Sequence, residues 1–203
     1  MPERSHAQQP IAISTDAPIW DRFFTVSPLV LVASKEPDGR FDVAPKHMAM
    51  PLGWQNYFCF VCTPRHATYH NVRRNEAFTV SYPRPDSVLL GSLSASPRCD
   101  DGDKPALEAV TTFRASKVDG VLVEGCYLFL ECELERIVDG FGSNSLIIGR
   151  ITAAAALESA LRRDERDENE QLYADPLLAY LSPGRFAEIR QTHAFPFPQG
   201  FSK

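Results

Sequence analysis

The stretch that decides the fold runs from Asp42 to Ser81 and reads DVAPKHMAMPLGWQNYFCFVCTPRHATYHNVRRNEAFTVS. It contains an apolar run, Tyr57 to Cys62, which has the length and composition of a buried β-strand. Pro64 follows and cannot donate a backbone hydrogen bond to a sheet, so it ends this strand. The next residues predict a short helix that begins at Tyr69 and that Thr68 can cap.

The loop before this predicted helix has the features of an anion site. The first N–H groups of a helix have no partner within it, and a helix N-terminus carries a partial charge of about +0.5. Arg65 adds a planar guanidinium that can hold two phosphate oxygens at once. Each part also has a purely structural reading, in which Thr68 only caps the helix and Arg65 is only a solvated loop residue. The residues of this loop leave both readings open.

Further apolar runs flank this stretch and have the lengths of β-strands. The run from Pro28 to Ser34 ends at a turn cluster, Glu36 to Gly39, and apolar residues resume at Phe41 and Val43, which predicts a hairpin. The remaining runs are Phe78–Tyr82, Val121–Val123, Tyr127–Ile137 and Leu146–Ile151. Clusters of Gly, Pro, Asn and Asp separate the runs, in place of long helical patterns. The sequence therefore favours an antiparallel sheet that closes into a barrel over a doubly wound fold.

Helices are expected to be few and peripheral. The candidates are Ile19–Phe24, Tyr69–Arg74 and Lys104–Phe113. The segment from Ala153 to Gln171 is expected to finish a strand and continue as a solvated helical turn, with the alternating charges of Arg162 to Glu170 exposed.

Composition limits the classes of function. A chain of 203 residues with 44% hydrophobic and 23% charged residues suits one globular domain over residues 1–203, with 1–18 a flexible N-terminal extension and 191–203 a C-terminal tail. The net charge of −5, from 21 basic and 26 acidic residues, argues against a nucleic-acid surface, which needs a basic patch. No apolar run is long enough to cross a bilayer and no export signal is visible, so we expect no membrane partner and a cytoplasmic location.

The common patterns of catalytic and metal sites are not found in the sequence. There is no Gly-x-Ser-x-Gly elbow, Walker loop or Gly-x-Gly-x-x-Gly segment, and His66 and His70 lack the Glu of a zinc protease pattern. Five cysteines without framework spacing fit a reducing compartment. Cys59 and Cys62 lie three apart in a predicted strand and would point to opposite faces, so core positions are expected and no metal is predicted.

Taken in order along the chain, several motifs resemble the flavin reductase family of FMN-binding split barrels. The first are Val43–His47 and Thr63–Thr68 with Asn71, on either side of the strand predicted above. Further matches are Phe78–Ser81, Glu131–Leu134, Leu146–Ile151 and Leu177–Phe186. The resemblance covers roughly residues 25–190, and its force lies in the order of the motifs. It implies a mainly β protein, an antiparallel split β-barrel with a few short peripheral helices.

The resemblance also implies contacts to a non-covalently bound FMN. Residues Pro45 to Ala49 would lie along the isoalloxazine ring and the ribityl chain, and Arg65 and Thr68 would hold the phosphate. Ser94 lies in a Gly-Ser-Leu-Ser-Ala-Ser stretch, interpreted as a loop, and would contact the ribityl chain or the phosphate. The full set of implied contacts is Pro45, Lys46, His47, Met48, Ala49, Cys62, Thr63, Arg65, Thr68 and Ser94.

Two of these residues carry open alternatives. Lys46 would supply a cation that favours reduced flavin, whose negative charge develops near N1 and the C2 carbonyl, but it equally fits the pattern of a solvated loop lysine. His47 stands where family members often carry Ser, and it would either hydrogen-bond the flavin edge or stack beside it.

One departure from the family concerns the electron donor. Many members have Gly-Asp-His before the apolar-Gly strand, with the histidine associated with the nicotinamide, whereas this chain reads Gly142-Ser143-Asn144-Ser145. Asn144 is the remaining candidate on the nicotinamide side, and the catalytic residues are otherwise unknown.

The function that the resemblance implies is an NAD(P)H-dependent flavin reductase that transfers hydride to bound FMN. It would act as a homodimer and pass electrons to free flavin, a partner oxygenase or a small oxidised substrate. Two alternatives stay open: a non-enzymatic FMN-binding protein or electron carrier of the same fold, and a split-barrel scaffold that has lost flavin.

Overall fold

A computed structural model describes residues 10–162 and 167–200. Within these ranges the chain forms twelve strands and three short α-helices. The strands are β1 Thr25–Pro28, β2 Val30–Lys35, β3 Phe41–Lys46, β4 Ala49–Pro51, β5 Tyr57–Cys62, β6 Ala77–Pro83, β7 Thr112–Arg114, β8 Val121–Val123, β9 Cys126–Phe141, β10 Asn144–Ala156, β11 Leu177–Ser182 and β12 Arg185–Ile189. The helices are α1 Ala67–Asn75, α2 Val88–Ser94 and α3 Glu168–Ala174.

The strands form one large and two small antiparallel sheets. The large sheet has seven strands in the order β3-β2-β6-β9-β10-β5-β4, the second has the order β1-β11-β12, and the third pairs β7 with β8. The large sheet curls into a half-barrel. This architecture confirms the prediction of a mainly β, antiparallel split barrel with few short helices.

Strand β2 shows how the core is divided. Its side chains alternate between the two faces of the sheet, so that Val30 and Val32 pack into one buried cluster and Leu31 and Ala33 into another. The first cluster also holds the aromatic residues Phe58, Phe60, Tyr69 and Phe78. The second is closed by β8 and by the start of β9. Because both faces are covered, β2 reads in sequence as a continuous apolar run.

Helix α1 begins two residues before the predicted position. Tyr69 N–H donates to the His66 carbonyl at 3.1 Å, and His66 is the N-cap residue. Thr68 therefore lies in the first helical turn with 1% of its surface exposed, and its predicted role as the cap is wrong. The helix ends at Asn75, and the C-cap residue Glu76 adopts a left-handed conformation with φ 52°.

Other helix predictions need correction. Residues Ile19 to Phe24 form only a turn, with Trp20 and Phe24 58% and 65% exposed, because their apolar face finds no surface to pack against. The predicted helix from Lys104 to Phe113 is a 3-10 helix, Pro105–Ala109, followed by β7. The stretch around Ser94, predicted as a loop, contains helix α2.

Parts of three predictions lie outside the described residues. These are residues 1–9 of the N-terminal extension, residues 163–166 of the charge run and residues 201–203 of the tail. In the ranges 10–162 and 167–200, no helix is long and apolar enough to cross a membrane.

Candidate functional site

A cleft of about 470 Å³ lies where β3, the N-terminus of α1 and the segment after α2 meet. We call it the cationic cleft because four basic side chains line it: Lys46, Arg65, Arg98 and Lys104. Five of the sequence-predicted contacts also line it: Pro45, Lys46, Arg65, Thr68 and Ser94. Residues almost 50 positions apart in the sequence are thus brought to one place by the pairing of β2 with β3 and the packing of α2 on β3.

The electrostatics of this cleft favour an anion. Asp42 is the one carboxylate among its lining residues, against four basic side chains, in a chain whose net charge is −5. His66 also lines the cleft, and its pKa is lowered by burial and by the nearby Lys46 and Arg65 cations. A neutral His66 adds a hydrogen-bonding ring at the cleft wall without adding to the repulsion among the cations.

The N-terminus of α1 opens into the cleft without a side-chain cap. His66 makes no cap hydrogen bond through its side chain, although its N–H donates to the Thr63 carbonyl at 3.0 Å. The Arg65 N–H donates to Thr63 Oγ1 at 3.4 Å, which holds the turn before the helix. Ala67 and Thr68, in the first turn of the helix, line the cleft, so the partial positive charge of the helix N-terminus lies beside it.

The floor of the cleft contains a buried ion pair that the sequence did not reveal. Lys104 Nζ donates to Asp42 Oδ1 at 3.2 Å, and both side chains are nearly buried, with 8% and 5% of their surfaces exposed. Arg98 also pairs with Asp42 at 3.2 Å. Asp42 and Lys104 are 62 residues apart and Lys104 lies in no recognisable motif, so only the folded chain shows that they meet.

A second cleft, of about 410 Å³, adjoins the first and shares Pro45 and Ala95 with it. We call it the aromatic slot. One wall is α2 with the residue after it, and the other walls come from the residue before β2, the end of β3 with the residue after it, and the β11–β12 hairpin. Its remaining lining residues are Leu29, His47, Val88, Gly91, Ser92, Tyr180, Gly184, Arg185 and Phe186.

His47 and Tyr180 form the aromatic contact of this slot. Their ring centroids are 4.6 Å apart and their planes are tilted by 34°. Burial, and then the neighbouring Lys46 cation, lower the pKa of His47. On the facing helix a Cβ added to Gly91 would come within 3.2 Å of Leu29 Cδ2, so this position favours glycine. The slot therefore combines aromatic side chains with small residues of α2, a combination that suits a planar ring ligand.

The other predicted contacts lie outside both clefts. Ala49 and Cys62 are buried in the first core cluster, and burial raises the pKa of the Cys62 thiol. Met48 is 50% exposed. Thr63 and Asn144 line a third cleft, of about 390 Å³, beside the turn between β9 and β10, and Arg65 lines this cleft as well as the cationic one.

The fold and these clefts define a split-barrel protein with adjoining cationic and aromatic surfaces. The sequence model of the family described as the flavin reductase like domain matches residues 22–186 of this chain. Because this match spans most of the chain, the protein belongs to the flavin reductase-like domain family, and its function is flavin-related.

Solved structures with the same fold have low sequence identity to this chain. The flavoredoxin of Methanosarcina acetivorans has 16% identity and a TM-score of 0.75, with 95% of this chain and 98% of that chain covered. The flavoredoxin of Desulfovibrio vulgaris (Miyazaki F) has 21% identity and a TM-score of 0.74, with 94% and 100% covered. An FMN-binding protein from Thermus thermophilus has 18% identity and a TM-score of 0.70, with 94% and 99% covered.

Proposed function

We propose that this protein binds FMN non-covalently across the cationic cleft and the aromatic slot and acts as an NAD(P)H-dependent flavin oxidoreductase. The observation that carries the proposal is the junction of the two clefts at Pro45 and Ala95. FMN has a phosphate at one end and a planar ring system at the other. One molecule of this shape and charge matches both surfaces.

At the phosphate end, Arg65 and the N-terminus of α1 are the principal ligands. A guanidinium can donate two parallel hydrogen bonds to phosphate oxygens, and helix N–H groups can donate more. Thr68, on the first turn of that helix, and Ser94, at the end of α2, line the same cleft. The Ser94 hydroxyl donates to the Gly91 carbonyl at 3.0 Å, so the fit to a phosphate rests on the positive charge of the cleft and on the Arg65 guanidinium.

At the ring end, Pro45 and His47 would lie along the isoalloxazine system. The contact between His47 and Tyr180 supports the stacking alternative for His47, since a histidine already packed on a ring presents an aromatic surface. When bound, FMN supplies a centre that accepts hydride at N5. The protein's part is to orient the ring and to exclude water from it.

The position of Lys46 bears on its two sequence-based alternatives. Its side chain is nearly buried, with 8% of the residue exposed, and it lines the cationic cleft. This burial argues against a solvated loop lysine. Because Lys46 does not line the aromatic slot, we assign it to the phosphate or ribityl end of FMN, while Arg185 is the basic residue that lines the slot.

Asn144, our candidate on the donor side, lines the third cleft with Thr63, and this cleft adjoins the cationic cleft through Arg65, at the phosphate end of the proposed FMN. Hydride transfer requires the nicotinamide ring to lie beside N5 of the isoalloxazine. Asn144 is therefore proposed to contact the phosphate or ribose part of a nicotinamide donor and not its ring. We also expect a homodimer in the cytoplasm that passes electrons to free flavin, a small oxidised substrate or a partner oxygenase.

A second candidate function is an electron carrier that holds FMN but is not reduced by a nicotinamide. Two structures with this fold are named flavoredoxins, and the chain lacks the Gly-Asp-His sequence before β10. A scaffold without flavin is disfavoured by the cationic cleft, because its four basic side chains outnumber Asp42, the one carboxylate among its lining residues, and the surplus positive charge attracts an anion.

Anaerobic reduction distinguishes these functions. The purified protein is reconstituted with FMN, and the flavin absorbance is followed after mixing with NADH or NADPH in a stopped-flow instrument. The reductase proposal expects rapid bleaching with at least one of the two donors. Bound FMN that bleaches with dithionite but with neither nicotinamide would identify a carrier, and a protein that retains no FMN would identify a scaffold.

A further inference from the structure

Lys104 occupies an unusual position for a lysine beside an anion cleft. Its ammonium donates to the Val43 carbonyl at 2.9 Å, to the Ser94 carbonyl at 2.5 Å and to Asp42 Oδ1 at 3.2 Å. An ammonium has three N–H donors, so every donor of Lys104 is used within the protein. Lys104 cannot bind a ligand phosphate directly unless it gives up one of these bonds.

These three bonds join the elements that build the cationic cleft. Val43 and Asp42 belong to β3, while Ser94 is the last residue of α2 and leads into the segment Ala95 to Pro97 that lines the cleft. Lys104 comes from the start of the 3-10 helix. Lys104 therefore links the end of α2, and the segment after it, to strand β3, which carries Pro45 and Lys46.

The charge of Lys104 also acts on the cleft. Its side chain is 8% exposed and lines the cleft, so water and salt screen it weakly. Asp42 carries the opposite charge at the same depth, with 5% exposed. A phosphate in the cleft would be attracted by one member of this pair and repelled by the other.

We infer that Lys104 is a positioning residue for the phosphate end of the ligand, and that the Lys104–Asp42 pair sets how strongly the site prefers a phosphorylated flavin to an unphosphorylated one. The inference rests on the proposed function, since it takes FMN as the ligand. It assigns a role to two residues that make no direct contact with the phosphate.

The test uses riboflavin, which has the same ring and ribityl chain as FMN but no phosphate. Dissociation constants for FMN and riboflavin are measured by fluorescence titration with the full chain and with three variants: Lys104→Met, Asp42→Asn and the double variant. Lys117→Met is the matched control, because Lys117 is exposed and lines none of the three clefts. Circular dichroism and thermal unfolding show whether each variant is folded.

The two single variants are expected to change the preference in opposite directions. Loss of the Lys104 charge should weaken FMN binding roughly tenfold relative to riboflavin, and loss of the Asp42 charge should strengthen it by a similar factor. In the double variant, the ratio of the dissociation constants for FMN and riboflavin should lie near the wild-type value. Lys117→Met should leave this ratio unchanged.

A merely structural role gives a different result. If the affinities for FMN and riboflavin fall together in each folded variant, or if the ratio does not move, the inference is overturned. If Lys104→Met does not fold, Asp42→Asn alone decides, since only the charge account predicts tighter FMN binding.

The same titrations separate this inference from the proposed function. If wild type binds FMN and the ratio of the two dissociation constants is the same in every variant, the proposed function survives without this inference. If wild type binds neither flavin, both fail.

Discussion

Arg65 and Lys46 meet an anion in different ways. Arg65 is exposed at the turn before α1, and its planar guanidinium can form two parallel hydrogen bonds with one phosphate. Lys46 is a nearly buried point charge at the end of β3. The two hydrogen bonds expected of the Arg65 guanidinium form only when the ligand is bound. The Lys46 side chain, in contrast, is already packed within the protein when no ligand is bound.

We expect Arg65→Ala to weaken FMN binding by about 1.5–3 kcal/mol, the typical value of a lost charge-assisted hydrogen bond. Lys46→Ala should cost less, because an ammonium is a point charge without the planar pair of donors of a guanidinium, and the Lys46 charge is one of four in the cleft. Fluorescence titration of FMN measures both, with Arg136→Ala, an exposed arginine outside the three clefts, as control. Wild-type affinity in Arg65→Ala would remove this residue from the site.

Glu131 shows how one buried carboxylate can organise a turn. It is 5% exposed and accepts hydrogen bonds from the N–H groups of Ser116, Lys117 and Val118 and from the Ser116 hydroxyl. Burial alone would raise the pKa of Glu131, but the hydrogen bonds, led by the Ser116 N–H, outweigh it and the pKa is lowered. The ionised form is therefore the one that the folded protein prefers.

The lowered pKa of Glu131 predicts a pH dependence of stability. A carboxyl whose pKa is lower in the folded than in the unfolded state stabilises the fold above its unfolded pKa, and this contribution is lost as pH falls through the folded pKa. Glu131→Gln should lower the free energy of unfolding by about 2 kcal/mol at pH 7, and the difference should shrink below about pH 4. Urea unfolding at several pH values measures this, with the exposed Glu124→Gln as control. A difference that is independent of pH would contradict the assignment.

The candidate site was only partly predictable at this scale. Arg65 and Thr68 could be found because a loop, a proline and a helix start lie together in the sequence. Ala49 and Cys62 lie in the first core cluster, outside the two clefts, and their contacts to FMN stay a prediction. Because β5 is buried on both faces, its sequence has no polar side that would indicate which residues face a ligand. Lys104 could not be found, since its partner is 62 residues away and no local pattern links them.

At the scale of elements, Gly149 of β10 lies very close to the ring of Phe78, which belongs to β6, two positions away in the same sheet. A Cβ added to Gly149 would lie 2.5 Å from Phe78 Cζ and 3.0 Å from Cys132 Cβ. Phe78 is 1% exposed, so its ring has little room to move. The glycine of the apolar-Gly strand is therefore required by packing, and a bulge in the pairing of β9 with β10 lies at the same position.

We expect Gly149→Ala to lower the free energy of unfolding by about 1–3 kcal/mol, because the added methyl group overfills the core. The double variant Gly149→Ala/Phe78→Leu should lose less than the sum of the two single changes, since the smaller side chain makes room. Chemical denaturation measures all three proteins. Strict additivity would show that this contact does not set the requirement for glycine.

Strands could be predicted better than helices in this chain. The run Tyr57–Cys62 was predicted with its observed bounds, and the hairpin of β2 and β3 was predicted from its turn cluster, where Gly39 has φ +89°. Residues Ile19 to Phe24 have helical periodicity, but six residues without a packing surface do not form a helix. Helix α2 was missed because Gly and Ser suggested a loop, whereas its packing on β3 overrides their low propensity.

At the scale of the whole molecule, large apolar side chains are exposed near the β4 edge of the main sheet. Met50 is 56% exposed and Trp54 is 83% exposed. Met48, beside them in the sequence, is half exposed as well. Exposed apolar surface at a sheet edge is a common feature of protein interfaces. These residues support the expectation of a homodimer, which stays a prediction.

Sedimentation equilibrium tests this expectation. We expect twice the chain mass of 22.7 kDa at micromolar concentration, in the presence and absence of FMN. A mass of one chain over the whole concentration range would contradict the homodimer.

The crystal structure of the protein with FMN is the measurement that tests the central claim most directly. The account predicts phosphate oxygens within about 3 Å of the Arg65 guanidinium and the isoalloxazine ring in the slot beside His47 and Tyr180. A phosphate bound away from Arg65, or a ring outside the slot, would contradict it.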